Sequence, residues 1–350
     1  MKDRAKYAPV AAAAVGVLAA ARALRRREAI DFRGKSVVIT GGSRGLGLLM
    51  ARELADEGAR LTILARTKDD LKRAEEELRA RGAEVLALRC DVRDRKQAQG
   101  AIQRAIRHYG RIDVLINNAG EITAAPIEHM EIEDFESAMD VHLWGPLYTM
   151  FAAVPHMRDH GGGHVVNISS IGGKISVPHL VPYSTSKFAL VGLSDGMRAE
   201  LGKYNIKVTT VCPGLMRTGS HFNALFKGRQ REEMAWFSVV DALPGSSIDA
   251  ERAAHQIIEA CRHGDPELII SAQAQVAARL GALFPEVTAT AMAIFDRMLP
   301  KATGPEGNQK KTGWRARSGW APSTLTTLAD RATEDNNELR GRGSVDSQSG

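Results

Sequence analysis

A short apolar run, Ser36 to Thr40, leads into Thr40-Gly41-Gly42-Ser43-Arg44-Gly45-Leu46-Gly47, and the chain then reads as helix over Leu48 to Glu57. Strand, glycine turn and helix in immediate succession constrain the fold more than any other stretch. Glycines let the backbone turn tightly, approach a pyrophosphate and pack the helix on the strand, while the helix N-terminus offers free N–H groups and a favourable dipole. Gly41, Ser43, Arg44, Gly45, Leu46 and Gly47 are therefore the candidate phosphate cradle. The bland alternative is an ordinary strand-to-helix turn, and the spacing departs from G-x-G-x-x-G.

From Gly34 onward, short runs rich in β-branched residues alternate with amphipathic stretches, which is a repeated βαβ pattern. Strands are expected at Ser36 to Thr40, Leu61 to Leu64, Val85 to Arg89, Val114 to Asn117, His164 to Ser169, Lys207 to Val211 and Leu268 to Ile270. Right-handed crossovers then give one α/β domain over 31–300, a doubly wound, parallel seven-stranded sheet with helices on both faces. Lys68 to Arg81 shows the helical pattern, with Leu71, Ala74 and Leu78 on one face.

Tyr183 and Lys187 are four residues apart in a segment that reads helical, Ser184 to Leu201, so their side chains share a face. An ammonium near a phenol lowers the phenol pKa and fits it for proton transfer near neutral pH. Ser170, at a strand end, is placed to hold a substrate oxygen. Ser169 points to the opposite face of that strand. In isolation such a Tyr/Lys pair would be a surface contact; beside the glycine turn it reads as a catalytic pair. The second strand ends in Ala65-Arg66-Thr67 rather than an acid, and Arg44 lies inside the glycine turn. Two guanidinium groups on one 2′-phosphate favour NADP(H) over NAD(H); two solvated surface arginines are the alternative.

Further motifs fall at matching places: Asp91-Val92 after the third strand, Asn117-Asn118-Ala119-Gly120 after the fourth, and Pro213-Gly214 with Thr218 after the sixth. Taken together, from about Asp31 to Ile270, these residues resemble the short-chain dehydrogenase/reductases, in their compact branch with a Thr-Gly-x-x-x-Gly-x-Gly turn. The resemblance implies a Rossmann-type fold, a nicotinamide cofactor and hydride exchange with a small carbonyl or alcohol. It implies Ser170, Tyr183 and Lys187 as the catalytic set, with Tyr183 and Lys187 also touching the cofactor. It places Asp91 and Val92 by the adenine, and Asn117, Ala119, Gly120, Pro213, Gly214 and Thr218 along the cofactor. It also implies a homo-oligomer. One position departs: Asp140-Val141-His142 puts His142 where the family usually has asparagine. Histidine either preserves the family's proton relay in modified form or is merely packed.

Two readings compete with the oxidoreductase: a non-catalytic nucleotide-binding scaffold, for which His142 alone speaks, and an epimerase or dehydratase, suggested by length. The substrate cover is expected over about 215–245, where Phe222, Leu225, Phe226, Met234, Trp236 and Phe237 suit either an apolar substrate or the packing of a lid.

The termini differ. Residues 1–30 hold an uncharged Ala/Val/Leu run, Tyr7 to Ala21, about 22 Å as a helix and short of a ~30 Å hydrocarbon core, with basic residues on both sides. A membrane anchor through residues 7–24, a peripheral or structural helix, and a signal peptide all fit. The anchor is the favoured expectation and places the enzyme on a cytoplasmic membrane face, or in the cytoplasm without it. Residues 301–350 read as a polar, largely mobile tail, with a short helix at Ser323 to Asn336. The net charge of +6 is spread among acids, as in Arg66-Thr67-Lys68-Asp69-Asp70, which argues against nucleic acid. Cys90, Cys212 and Cys261 lack metal-ligand or disulfide spacing, so no metal is expected.

Overall fold

The computed structural model describes residues 28–217, 222–242, 247–316 and 336–338. Seven strands form the central sheet: β1 (Ser36–Thr40), β2 (Arg60–Ala65), β3 (Val85–Arg89), β4 (Val114–Asn117), β5 (Gly163–Ile168), β6 (Ile206–Pro213) and β7 (Glu267–Ile270). All are parallel, in the order β7-β6-β5-β4-β1-β2-β3. The strand order reverses at β1, which pairs with β2 on one side and β4 on the other. Thr40 is level with Leu64 and with Asn117, so the turns after β1 and β4 leave the sheet edge side by side. In doubly wound sheets that reversal opens the ligand crevice.

The helices are α1 (Gly45–Asp56), α2 (Lys68–Ala80), α3 (Arg95–Tyr109), α4 (Ile132–Met139), α5 (Gly145–Asp159), α6 (Val181–Leu201), α7 (Gln230–Ala242), α8 (Ala250–His263), α9 (Ala272–Leu283) and α10 (Pro285–Asp296). One face of the sheet is covered by α1, α2 and α8 through Leu48, Leu54, Leu71, Leu78, Ile257 and Ile258. The other is covered by α3 and α5 through Ile102, Ala105, Met150, Ala153 and Met157. Side chains such as Ile39, Leu54 and Ile102 are fully enclosed, and each contributes about 1.5–3 kcal/mol by leaving water. The strand residues alternate between these two layers, Val37 and Ile39 facing one and Val38 the other, so a run apolar throughout is what a sheet covered on both faces requires.

The cover over the strand ends is built from small pieces. Leu215–Arg217 pairs with Ser247–Asp249, and Leu225–Phe226 lies between Thr123–Ala124 and Lys311–Thr312. Phe222, Phe226, Met234 and Phe237 are buried there with Ala124 and Leu180, so these aromatics pack the cover itself. The stretch after residue 300 is less loose than its polarity suggests, because Trp314 stacks on Phe222 with 4.5 Å between ring centroids and Lys311–Thr312 adds a strand. Backbone pairing and one indole hold it, and neither registers as an apolar pattern. The segment 1–27, Thr218 and all but the last residue of Ser323 to Asn336 lie outside the described residues. Among those described, no helix is long and apolar enough to cross a membrane.

Candidate active site

The glycine turn is held from below by the loop after β4. Thr40 Oγ1 accepts the Asn118 N–H at 2.9 Å and the Ala119 N–H at 3.0 Å, and Asn118 Nδ2 donates to Thr40 O at 3.1 Å and Gly41 O at 3.3 Å. Gly41 has φ +67°, and a Cβ on Gly47 would stand 2.1 Å from Gly41 O, so both positions demand glycine for different reasons. α1 starts at Gly45, three residues before the apolar pattern does, so its first N–H groups face the crevice. The residues fit a dinucleotide: the cradle has room only because side chains are missing, and Arg44 together with Arg66 supplies positive charge around it.

Asn117 does not face the crevice. Its Nδ2 donates to Asn167 Oδ1 at 2.9 Å and its Oδ1 accepts from Thr149 Oγ1 at 2.7 Å, so it ties β4 to β5 and α5 within the sheet. The bracing function belongs to Asn118, which the motif contained but spacing alone did not single out. Asp91 is held by Arg93 in a two-pronged ion pair at 2.6 to 3.1 Å, and that pairing, against the opposing cost of desolvation, keeps its carboxyl low. Val92 is buried against Gly145. Gly214 packs against Ser271, where a Cβ would approach Oγ to 3.0 Å. The two arginines expected on one phosphate differ in setting: Arg66 is exposed at the end of β2, while Arg44 Nη1 donates to Asn223 Oδ1 at 2.9 Å. A further cation, Arg73 on α2, reaches the same rim and was not visible in the sequence because α2 reads as a plain surface helix.

Ser170, Tyr183 and Lys187 come together beyond the ends of β4 and β5. Ser170 caps a single helical turn, Ile171–Gly173, accepting the Gly172 N–H at 3.0 Å, and it hydrogen-bonds the Tyr183 hydroxyl. Ser169 turns away and donates to Lys187 O at 3.0 Å. The Lys187 ammonium donates to Ile168 O at 2.9 Å and lies 5.6 Å from the Tyr183 ring centroid. Tyr183 keeps some exposure overall, yet desolvation of its hydroxyl pushes the phenol up to about 12, with the Ser170 hydrogen bond pulling the other way. The expected lowering by the lysine is therefore absent. Burial instead brings Lys187 down to about 7, which weakens the ammonium as a source of charge.

His142 sits in a π-helical turn, Asp140–Trp144, that joins α4 to α5. Its Nε2 accepts the Glu121 N–H at 3.2 Å, so the hydrogen-bond network puts the proton on Nδ1, which donates to Ser186 Oγ at 2.8 Å. Ser186 in turn donates to Tyr183 O at 2.8 Å. Burial, helped by the Lys187 charge, holds His142 well below its usual range and hence neutral. Both ring nitrogens are hydrogen-bonded to protein groups and the ring meets Tyr183 edge-on at 5.4 Å, an arrangement that fits the packed reading of His142. Replacing it with leucine strands the Glu121 N–H and removes an acceptor-donor link to α6. The expected loss is about 2–4 kcal/mol of stability, read as a lower urea midpoint with the slope unchanged; a loss under about 0.5 kcal/mol would contradict the assignment.

A parallel sheet in this order, a glycine turn at its switch point and a Ser/Tyr/Lys group beside it define a dinucleotide-dependent oxidoreductase scaffold. A family model for short chain dehydrogenases matches residues 35–225. The chain is 32% identical to YxnA, an uncharacterized oxidoreductase of Bacillus subtilis, over 77% of this chain and 72% of that protein. It is 30% identical to a dehydrogenase/reductase SDR family protein 7-like of Drosophila melanogaster, over 82% of this chain and 88% of the relative. Among solved structures, NAD+-bound xylitol dehydrogenase matches with a TM-score of 0.61 and 26% identity, covering 69% of this chain and 99% of that one. The chain belongs to the short-chain dehydrogenase/reductase family.

Proposed function

We propose that this protein is an NADP(H)-dependent reductase of a carbonyl group, with Tyr183 as the proton donor. The observation that carries the reading is the meeting of Ser170, Tyr183 and Lys187 at the crevice where the glycine turn opens. A bound nicotinamide supplies the hydride. Ser170 holds the substrate oxygen, and Tyr183, whose phenol stays protonated at neutral pH, gives that oxygen its proton. A neutral phenol suits reduction of a carbonyl better than oxidation of an alcohol, which needs a phenolate. The phenolate left behind favours the charged form of Lys187, which burial alone brings down to about 7. The scaffold alternative rests on His142 alone, and the meeting of Ser170, Tyr183 and Lys187 at the crevice speaks against it.

The preference for NADP(H) is supported by the end of β2, where Arg66 stands exposed in place of an acid, with Arg44 and Arg73 on the same rim. NADPH is expected to bind at least about tenfold more tightly than NADH, and Arg66→Asp to remove most of that margin, since a charge-assisted contact is exchanged for repulsion. Fluorescence titration of both cofactors on both proteins measures it. Equal affinities in the wild type would refute the preference.

A further inference from the structure

Asn336, Asn337 and Glu338 lie across the glycine turn, far from the rest of the described chain in sequence. The Gly45 N–H, the first donor of α1, is taken by Asn336 O at 2.8 Å. Asn337 Nδ2 donates to Ser43 O at 2.8 Å and Asp70 O at 3.3 Å, and its Oδ1 accepts from Arg73 Nε at 2.8 Å. Glu338 is 5% exposed, accepts from Asn223 Nδ2 and stands 3.6 Å from Arg44 Nε. A Cβ on Gly45 would meet Glu338 Oε1 at 2.5 Å, so the acid fills the space that the glycine leaves open. A carboxyl group and a carbonyl thus sit on the helix N-terminus and the arginines that an anionic pyrophosphate would use.

We propose that Asn336–Glu338 is an autoinhibitory strap that occupies the phosphate cradle and must leave before the nicotinamide dinucleotide binds. The proposal rests on the reading of the glycine turn as the dinucleotide site. Its contacts imitate the ligand: acceptors on the free N–H of α1, an acid against Arg44, and an amide on Arg73 at the rim where the 2′-phosphate is placed. The strap is part of the same chain, so it competes at a fixed effective concentration, and the apparent cofactor affinity falls by the fraction of molecules in which it is open.

Closure also depends on pH. Desolvation pushes the Glu338 carboxyl up to about 7; Asp70 on α2 adds to this, while Arg44 and the Asn223 amide oppose it. The other charged groups facing the strap are Arg73 on α2 and Arg52 on α1, whose Nη1 lies 3.5 Å from Asn336 Oδ1. A raised carboxyl pKa in the closed state means closure is strongest when Glu338 is protonated, below the ordinary glutamate range. It weakens as pH rises toward about 7 and then levels off. Glu338→Gln cannot ionise and stays closed at every pH.

The test uses full-length protein, NADPH titrations near pH 6 and near pH 8, and amide hydrogen exchange at Gly45 without cofactor. The Asn337→Ala/Glu338→Ala double variant is expected to bind NADPH about tenfold more tightly than wild type near pH 6, with Gly45 exchange about tenfold faster. Glu338→Gln is expected to bind NADPH more weakly than wild type at both pH values, by a wider margin near pH 8, where the wild-type strap has lost the rest of its closure; comparison at one pH cancels the titration of the cofactor itself. An unchanged Kd in the double variant overturns the strap whatever exchange does. If NADPH still binds, only the strap fails; if neither form binds any dinucleotide, the nucleotide reading fails and takes the strap with it.

Discussion

Tyr183→Phe is expected to lower kcat by at least about 10²-fold while the Kd for NADPH stays within about twofold. The substitution removes one oxygen and leaves the ring, so the edge-on contact with His142 and the position over Lys187 persist. Only the proton donor disappears. The phenol is also the group whose hydroxyl Ser170 holds, and the freed Ser170 can still cap the Ile171–Gly173 turn through its bond from Gly172. Stability is therefore expected to change little. Steady-state kinetics under saturating NADPH, alongside a cofactor titration, separate the two effects. A variant retaining more than about a tenth of wild-type kcat would mean that another group delivers the proton.

Gly47→Val is expected to cost about 3 kcal/mol or more of stability and to abolish measurable NADPH binding. A Cβ at this position would stand 2.1 Å from Gly41 O, part of the turn's own backbone, and 2.6 Å from Asn118 Nδ2, the side chain that holds the turn. Backbone cannot rotate away as a long side chain can. Either α1 lifts off β1, losing the packing of Leu48 and Leu54, or the turn opens and Asn118 loses its bonds to Thr40 and Gly41. Gly192→Ala is the control. Gly192 lies within α6 with nothing near its missing Cβ, so alanine there is expected to be neutral or stabilising by up to about 1 kcal/mol. Urea midpoints for the two variants, with NADPH titrations, decide the matter. A Gly47→Val protein as stable as wild type would show that the turn is not held as tightly as its hydrogen bonds imply.

The sheet was legible because strands buried on both faces announce themselves as short apolar runs, and the expected runs at Ser36 to Thr40 and Val114 to Asn117 coincide with β1 and β4. Helix starts were not. α1 begins at Gly45 and α6 at Val181, ahead of the periodic pattern: glycine carries no helical signal of its own, and Pro182, favoured in a first turn, marks the start of α6 in a way that apolar periodicity does not register. The meeting of Tyr183 with Lys187 followed from helical spacing, and Ser170 from its place at a strand end. Other links join residues with no sequence relation: Ser186 between His142 and Tyr183, Arg73 at the cofactor rim, and Asn118 under the turn. The phenol pKa lies above what its spacing from Lys187 implies, because desolvation, which no spacing reveals, raises it. The contact of Glu338 with Gly45 had no signal at all, since nothing apolar or periodic marks a polar segment that returns across nearly the whole chain.

The most direct test of the account is stoichiometry: NADPH is followed by its near-ultraviolet absorbance against a panel of ketones and aldehydes, with the product measured in the same samples. The account predicts loss of NADPH one for one with the alcohol formed, and neither change with Tyr183→Phe. Product formed without net consumption of NADPH, as an epimerase or dehydratase would give, or NADPH bound tightly with no carbonyl reduced across the panel, would contradict it.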